Sequence, residues 1–300
     1  MYDTPFSNRF LVIFLAILAA IGVFGGRAHA APSSDRITVS VSGKGPDVVL
    51  IPGLASSGAV WDATVKQLSA THRVHVVQVA GFAGAPVAGN AQGPVVEPVV
   101  EAVDAYIKAN HLKAPAVIGH SMGGFTGLEL AEQHPEDVGR LLIVDSLPFF
   151  SAAMSSSVTA ESAKPRAAAL RDAVLAMDEA AFQDQQASAV LPGMVKSPEG
   201  LKAVIAWSKT SDRGAVARAM YDLMTTDARA GLAGIKTPTT LLYPFDPSIG
   251  APVAMVDGIY AKAYADLPGV KLKRIDDSRH FIMFDQPKAF AEAVDAFLKD

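Results

Sequence analysis

Cysteine is absent from this 300-residue chain, which excludes disulfide bonds, thiol catalysis and thiolate metal sites. Charge is also scarce: 19% of the residues are Asp, Glu, Lys or Arg, and the net charge is −4. The sequence has no run of Lys or Arg, so nucleic acid is not an expected partner. Apolar residues make up 50% of the chain, and at this length that composition is enough to bury a large core.

The N-terminus carries a short apolar run, Phe10 to Phe24, between Arg9 and Arg27. Its 15 residues fall short of the roughly 20 that a membrane span needs. Ala28-His29-Ala30 then provides the small residues of a signal-peptidase site. The pattern predicts a signal peptide over residues 1–30, cut after Ala30, and a secreted or periplasmic protein with no stable membrane span after cleavage. An uncleaved N-terminal anchor is the alternative.

Short, nearly all-apolar segments alternate with helical patterns along the first half of the chain. Val48–Ile51, Val74–Val79 and Leu141–Val144 are such segments, and strands of this kind are typical of a parallel sheet covered by helices on both faces. From 146 to 234 the pattern is helical, and strand patterns return after 235. We therefore predict an α/β fold with a core over 31–145 and 235–300, interrupted by a helical cap over 146–234.

Gly119-His120-Ser121-Met122-Gly123 follows one of these apolar segments and precedes a helical pattern. This is the G-x-S-x-G arrangement of strand, sharp turn and helix, in which the serine is held in a strained turn. Side chains at positions 119 and 123 would collide with the neighbouring backbone, and glycine has none. Ser121 is therefore the predicted nucleophile.

A serine hydroxyl needs a base and a carboxylate that orients the base. His280 follows the last predicted strand and can reach over the sheet edge. The side chain of His120 must point away from that of Ser121, and His120 is interpreted as a packing or pocket residue. Asp246 follows the strand that begins at Thr239 and is the predicted acid. Asp145, after the preceding strand, is the competing candidate.

The oxyanion that forms during acyl transfer needs two N–H donors. Met122 supplies one at the elbow, and Leu54, next to Gly53 in the loop after Val48–Ile51, is the candidate for the other.

With these motifs assembled, the sequence resembles the α/β-hydrolase superfamily. Pro52-Gly53-Leu54 resembles the family's oxyanion turn, with Pro in place of the usual His, and His280-Phe281 resembles its G-H-F ending, with Arg279 in place of Gly. The family commonly has a Gly-x-x-Asp acid loop, and here Pro244-Phe245-Asp246 is one residue shorter. The resemblance implies a serine hydrolase of the esterase or lipase type.

The expected activity is hydrolysis of small-molecule carboxylic esters through an acyl-enzyme, by Ser121, His280 and Asp246. The mechanism calls for no metal or organic cofactor, and no metal-ligand spacing is present. Amide, lactone or C–C bond hydrolysis, perhydrolysis and acyl transfer could use the same groups. A non-catalytic binding protein on the same scaffold is the alternative from another class.

Overall fold

The computed structural model describes residues 28–29, 34–153, 155 and 157–299. The predicted signal peptide falls outside this range except for Ala28 and His29, which form a two-residue strand. Among the described residues, no helix has both the length and the apolar character needed to cross a bilayer.

A single sheet runs through the described residues, with strand order β1-β2-β4-β3-β5-β6-β7-β8. Strand β2 pairs antiparallel with both β1 and β4, and all the other pairs are parallel. The strands are β1 Ala28–His29, β2 Ile37–Ser42, β3 Asp47–Ile51, β4 Arg73–Val79, β5 Ala116–His120, β6 Arg140–Val144, β7 Thr239–Phe245 and β8 Lys271–Asp276.

Helices cover both faces of this sheet and also form the stretch between β6 and β7. They are α1 Asp62–Leu68, α2 Val96–Ala109, α3 Met122–Gln133, α4 Ala160–Ala176, α5 Glu179–Gln185, α6 Pro198–Thr210, α7 Arg213–Thr225, α8 Val253–Ala263, α9 Ile282–Asp285 and α10 Pro287–Lys299.

The apolar side chains of the central strands divide between two cores, one on each face of the sheet. Val49, Val117 and Ile143 pack with α2 and α3 on one face, and Leu50 and Ile118 pack with α1 and α10 on the other. Alternate residues of a strand point to opposite faces, so a strand that is apolar at nearly every position requires both layers. The predicted α/β-hydrolase fold is confirmed.

The stretch 146–234, which the sequence predicts as a cap, holds α4 to α7 and, among its described residues, no strand. Helix α4 begins at Ala160, directly after its N-cap residue Thr159. The side chain of Thr159 accepts a hydrogen bond from the backbone N–H of Ser162, and the Ser162 side chain accepts one from the Thr159 N–H. This capping box satisfies free N–H groups at the start of the helix.

Parallel pairing brings the carboxyl ends of β5, β6 and β7 to one edge of the sheet. His120 is paired with Val144, and Val144 with Leu242. The residues that follow β5 and β6, Ser121 and Asp145, therefore lie side by side at the same level.

Candidate active site

Ser121 occupies a strained turn between β5 and α3, with φ +54° and ψ −119°. Non-glycine residues rarely adopt a positive φ, and where they do the surrounding structure enforces it. A Cβ at position 119 would lie 2.0 Å from the Gly123 carbonyl oxygen, and one at position 123 would lie 2.2 Å from the Ile51 carbonyl oxygen. Both positions therefore require glycine, as the sequence predicts. Ser121 lines a cavity at the edge of the sheet.

His280 lines the same cavity and is held by Asp145. The His280 Nδ1 lies 2.6 Å from Asp145 Oδ2, and the Tyr260 hydroxyl donates to Asp145 Oδ1 at 2.5 Å. Burial alone would raise the pKa of Asp145, but the positive charge available on His280 and the hydrogen bonds from His280 and Tyr260 outweigh it and lower that pKa. Asp145 is therefore ionised at neutral pH and fixes the orientation of the imidazole.

The expectation that Asp246 orients His280 does not hold in this structure. Its carboxylate instead accepts hydrogen bonds from Arg279 Nε at 2.6 Å and from the Ser248 hydroxyl at 2.7 Å. Strand β7 continues to Phe245, whereas Leu242 is the partner of Val144. Asp246 thus lies three residues, about 10 Å of strand, beyond the level of Asp145. The sequence placed both acids at carboxyl strand ends but could not show where each strand stops relative to Ser121.

His120 has a role in the site that the sequence did not reveal. Its ring is fully buried, and Nε2 donates to the backbone carbonyl of His280 at 2.9 Å. Burial, with the nearby charge of His280, lowers the pKa of His120 to about 3, so its ring is neutral. The sequence interpretation of a packing or pocket residue agrees with its burial and with its place in the cavity wall. It omits the bond to the His280 carbonyl, because that bond joins segments distant in sequence.

The two predicted oxyanion donors also reach the cavity. Met122 is the first residue of α3, and first-turn amides have no acceptor within their own helix. Leu54 follows Gly53, where a Cβ would lie 3.0 Å from His120 Nδ1 and 3.1 Å from Ser121 Cβ. The loop after β3 thus passes close against the elbow, and Leu54 and Met122 both line the cavity beside Ser121. Their role as oxyanion donors stays a prediction.

The cavity has a volume of 490 Å³, within the range of small-molecule sites. Its walls away from the sheet edge are mainly apolar side chains of the cap, including Leu170, Val174, Phe182, Val204, Met220 and Leu223. Phe150, Leu170 and Val190 line it and are also 46%, 44% and 36% exposed, so the rim is apolar as well. This environment favours an apolar ligand.

A group with metal-ligating side chains lies elsewhere, where Glu101, Asp104 and His134 come within 4.8 Å of one another. None of the three is among the described residues that line the cavity. Lys108 Nζ already lies 2.8 Å from Asp104, so one carboxylate of this group is paired with a lysine.

Comparisons with known proteins agree with this fold. The model of a family described as "Alpha/beta hydrolase family" matches residues 48–293. A pimeloyl-(acyl-carrier protein) methyl ester esterase of Aeromonas hydrophila is 35% identical over 116 residues, which are 39% of this chain and 44% of that enzyme. The chain therefore spans less than half the length of this curated relative.

Two further similarities extend over most of the chain. An enzyme of the same name from Aromatoleum aromaticum is 28% identical over 266 residues, 83% of this chain and 97% of the relative. The crystal structure of a hydrolase from Pseudomonas aeruginosa superposes with a TM-score of 0.73 and 21% identity, covering 92% of this chain and all of that one. At that identity the superposition supports the fold.

Proposed function

The chain belongs to the alpha/beta hydrolase family, and we propose that it is an exported serine hydrolase that cleaves carboxylic esters through an acyl-enzyme. One observation carries the proposal: His280, with Nδ1 held by Asp145, lines the same cavity as the strained Ser121. A nucleophile, a base and an orienting acid in one cavity are the parts that acyl transfer from serine requires.

In the first half of the reaction, Ser121 Oγ attacks the ester carbonyl carbon while His280 Nε2 takes the hydroxyl proton. Asp145 keeps the Nδ1 proton of His280 in place and stabilises the imidazolium. The tetrahedral oxyanion accepts hydrogen bonds from the N–H groups of Leu54 and Met122. Its collapse breaks the C–O bond, and the imidazolium gives its proton to the departing alkoxide, which leaves as an alcohol.

In the second half, a water molecule attacks the acyl-enzyme carbonyl and gives a proton to His280. The second tetrahedral intermediate collapses, Ser121 recovers that proton, and the carboxylic acid leaves. The positive end of the α3 dipole faces the oxyanion in both halves and favours the developing negative charge.

The choice of esters rests on the relatives and on the cavity. Two curated relatives are named methyl ester esterases, which supports a carboxylic ester as the bond cleaved. The apolar wall that the cap provides and the 490 Å³ volume support small to medium apolar acyl groups.

Labelling with a fluorophosphonate probe, which reacts with activated serines, tests the mechanism. We expect one label, on Ser121, and none on Ser121→Ala of unchanged melting temperature. No label on folded wild-type protein would contradict the enzyme and favour a binding protein on the same scaffold. A panel of p-nitrophenyl esters of rising chain length, beside amides and lactones, tests the substrate class, and a preference for amides or lactones would overturn the ester proposal.

Export rests on the N-terminal sequence pattern of residues 1–30. N-terminal sequencing of protein recovered from a bacterial periplasm should begin at Ala31. Recovery of the uncleaved chain in the membrane fraction would favour the anchor.

A further inference from the structure

Asp246 directly follows β7, and its side chain is only 3% exposed. Two cationic side chains form ion pairs with its carboxylate. Arg279 Nε donates to Oδ2 at 2.6 Å, and Lys196 Nζ lies 3.4 Å from Oδ1. Burial alone would raise the pKa of Asp246, and the hydrogen bonds from Ser248 and Arg279 reverse this and hold it well below its usual value. A buried, ionised carboxylate with such partners has a fixed geometry.

Arg279 directly precedes His280 and joins three parts of the chain. Besides bonding Asp246, its Nη1 donates to the Pro192 carbonyl of the cap at 2.7 Å. Its backbone N–H donates to Asp285 Oδ2 at 2.8 Å. The residue before the base is thus bonded to the end of β7, to the cap and to α9.

Cap residues 192–197 form hydrogen bonds with residues that precede and follow His280 in the sequence. Asp285 Oδ1 accepts the N–H groups of Lys196 at 2.8 Å and Ser197 at 2.9 Å. The N–H of Phe281, the residue after the base, donates to the Met194 carbonyl at 3.1 Å. Met194 lines the cavity, so the same bonds fix one wall of the cavity relative to the base.

We propose that Asp246 and Arg279 act as a positioning pair that fixes the loop of His280 and cap residues 192–197 in register, so that the imidazole meets Ser121 in productive geometry. This inference rests on the proposed function, because it assigns the pair a role through His280. Neither residue is among the described residues lining the cavity, so neither is placed to touch substrate.

The pair should affect turnover more than substrate binding. The rate of proton transfer depends on the exact position of the base, and a misplacement of about 1 Å can cost up to about a hundredfold in rate. In Arg279→Met the bonds to Asp246 and Pro192 are lost while Lys196 still faces the carboxylate, and in Asp246→Asn the charge that holds the guanidinium is lost. We expect kcat to fall about tenfold or more in each variant, with KM within about threefold of wild type.

Two further variants test that the residues act as one unit. Asp246→Asn/Arg279→Met should be no slower than the slower single variant, because both changes break the same bond. Arg279→Lys keeps a cation without the planar fork and should give an intermediate kcat. If Arg279→Met fails to fold, Arg279→Lys supplies the same comparison.

Asp47 and Arg73 supply a matched control at the opposite edge of the sheet. Arg73 Nε and Nη2 lie 2.5 Å and 3.0 Å from the two Asp47 oxygens, so this is also a hydrogen-bonded arginine–aspartate pair. Asp47→Asn should lower the melting temperature and leave kcat per active site unchanged. Active sites are counted in every variant from the end point of fluorophosphonate labelling, so that a loss of folded protein is not read as slow turnover.

The outcomes separate this inference from the proposed function. If wild-type Ser121 is not labelled, the proposed function itself is wrong. With the label present, a kcat per labelled site within twofold of wild type in Asp246→Asn and Arg279→Met would overturn the positioning role. A double variant slowed by the product of the single effects, or an equal loss in Asp47→Asn, would overturn it as well.

Discussion

His280 Nδ1 lies 2.6 Å from Asp145 Oδ2, a contact between residues 135 positions apart in the chain. Asp145 follows β6, the strand beside β5, which ends directly before Ser121, and the backbone of Asp145 has a positive φ of 45°. Tyr260 holds the second carboxylate oxygen and Tyr264 donates to the Ser146 carbonyl, so α8 supports the loop that carries this acid. The carboxylate that contacts His280 thus follows the strand next to the one that leads to Ser121.

Asp145→Asn should therefore reduce kcat far more than Asp246→Asn. An amide at position 145 cannot balance the imidazolium and favours the wrong tautomer of His280, which costs on the order of 10⁴-fold in kcat in a comparable triad. Asp246→Asn leaves the contact with Nδ1 intact. Steady-state kinetics on both variants, at equal counts of labelled active sites, measures the difference, and a greater loss in Asp246→Asn would restore Asp246 as the acid.

Stability should fall on acidification because His120 is buried in its neutral form. Its pKa in the folded protein, about 3, lies below the 6.5 of an exposed histidine, so the unfolded chain binds the proton first. This contribution to stability is complete above pH 6.5 and is lost as the pH falls toward 3, by at most about 1.4 kcal/mol per pH unit.

His120→Gln removes the titration and keeps an N–H donor for the His280 carbonyl. Urea unfolding between pH 4 and pH 8 should show a shallower pH dependence for this variant than for wild type. If stability depends on pH equally steeply in the variant and in wild type, His120 does not contribute to the pH dependence.

Glu129 on α3 should make the opposite contribution. Burial and the neighbouring charge of Glu132 raise the pKa of Glu129 to about 7, above the 4.5 of an exposed glutamate. The folded state therefore prefers the protonated form. The resulting stabilisation is complete below pH 4.5 and is lost as the pH rises through 7.

Glu129→Gln mimics that protonated form. Since the side chain is half-buried and partly screened by solvent, we expect the variant to be about 1 kcal/mol more stable than wild type at pH 8 and equal to it at about pH 4. Urea midpoints at the two pH values test this, and equal midpoints at pH 8 would contradict it.

Glycine at the elbow should be irreplaceable. In Gly119→Ala the new methyl group would lie 2.0 Å from the Gly123 carbonyl oxygen, a rigid backbone atom, so the elbow must shift. We expect a loss of at least about 3 kcal/mol in stability, together with loss of Ser121 labelling.

Gly258 provides the matched substitution, since it lies inside α8 and a Cβ there would meet nothing within 4 Å. Gly258→Ala should stabilise the protein by about 0.5–1 kcal/mol, because alanine loses less backbone entropy in a helix. Thermal melting of both variants measures the two effects. An equal change in melting temperature in both would show that crowding at position 119 is unimportant.

The sequence by itself determined the features that depend on local order. All-apolar segments alternating with helical patterns specified a covered parallel sheet, and the glycines around Ser121 specified a tight strand-to-helix turn. The position of His280 after the last strand placed it at the same sheet edge as Ser121. These predictions succeeded because strand periodicity and the steric demands of a turn are properties of neighbouring residues.

The tertiary structure alone decided which acid meets His280. Asp145 and Asp246 both follow strands at one edge, and their local sequences do not reveal that β7 continues past the level of Ser121 while β6 stops there. The bond from His120 to the His280 carbonyl and the bonds of Arg279 to the cap join segments distant in sequence. Such contacts depend on where each strand and loop ends in space, and strand register and packing set those positions.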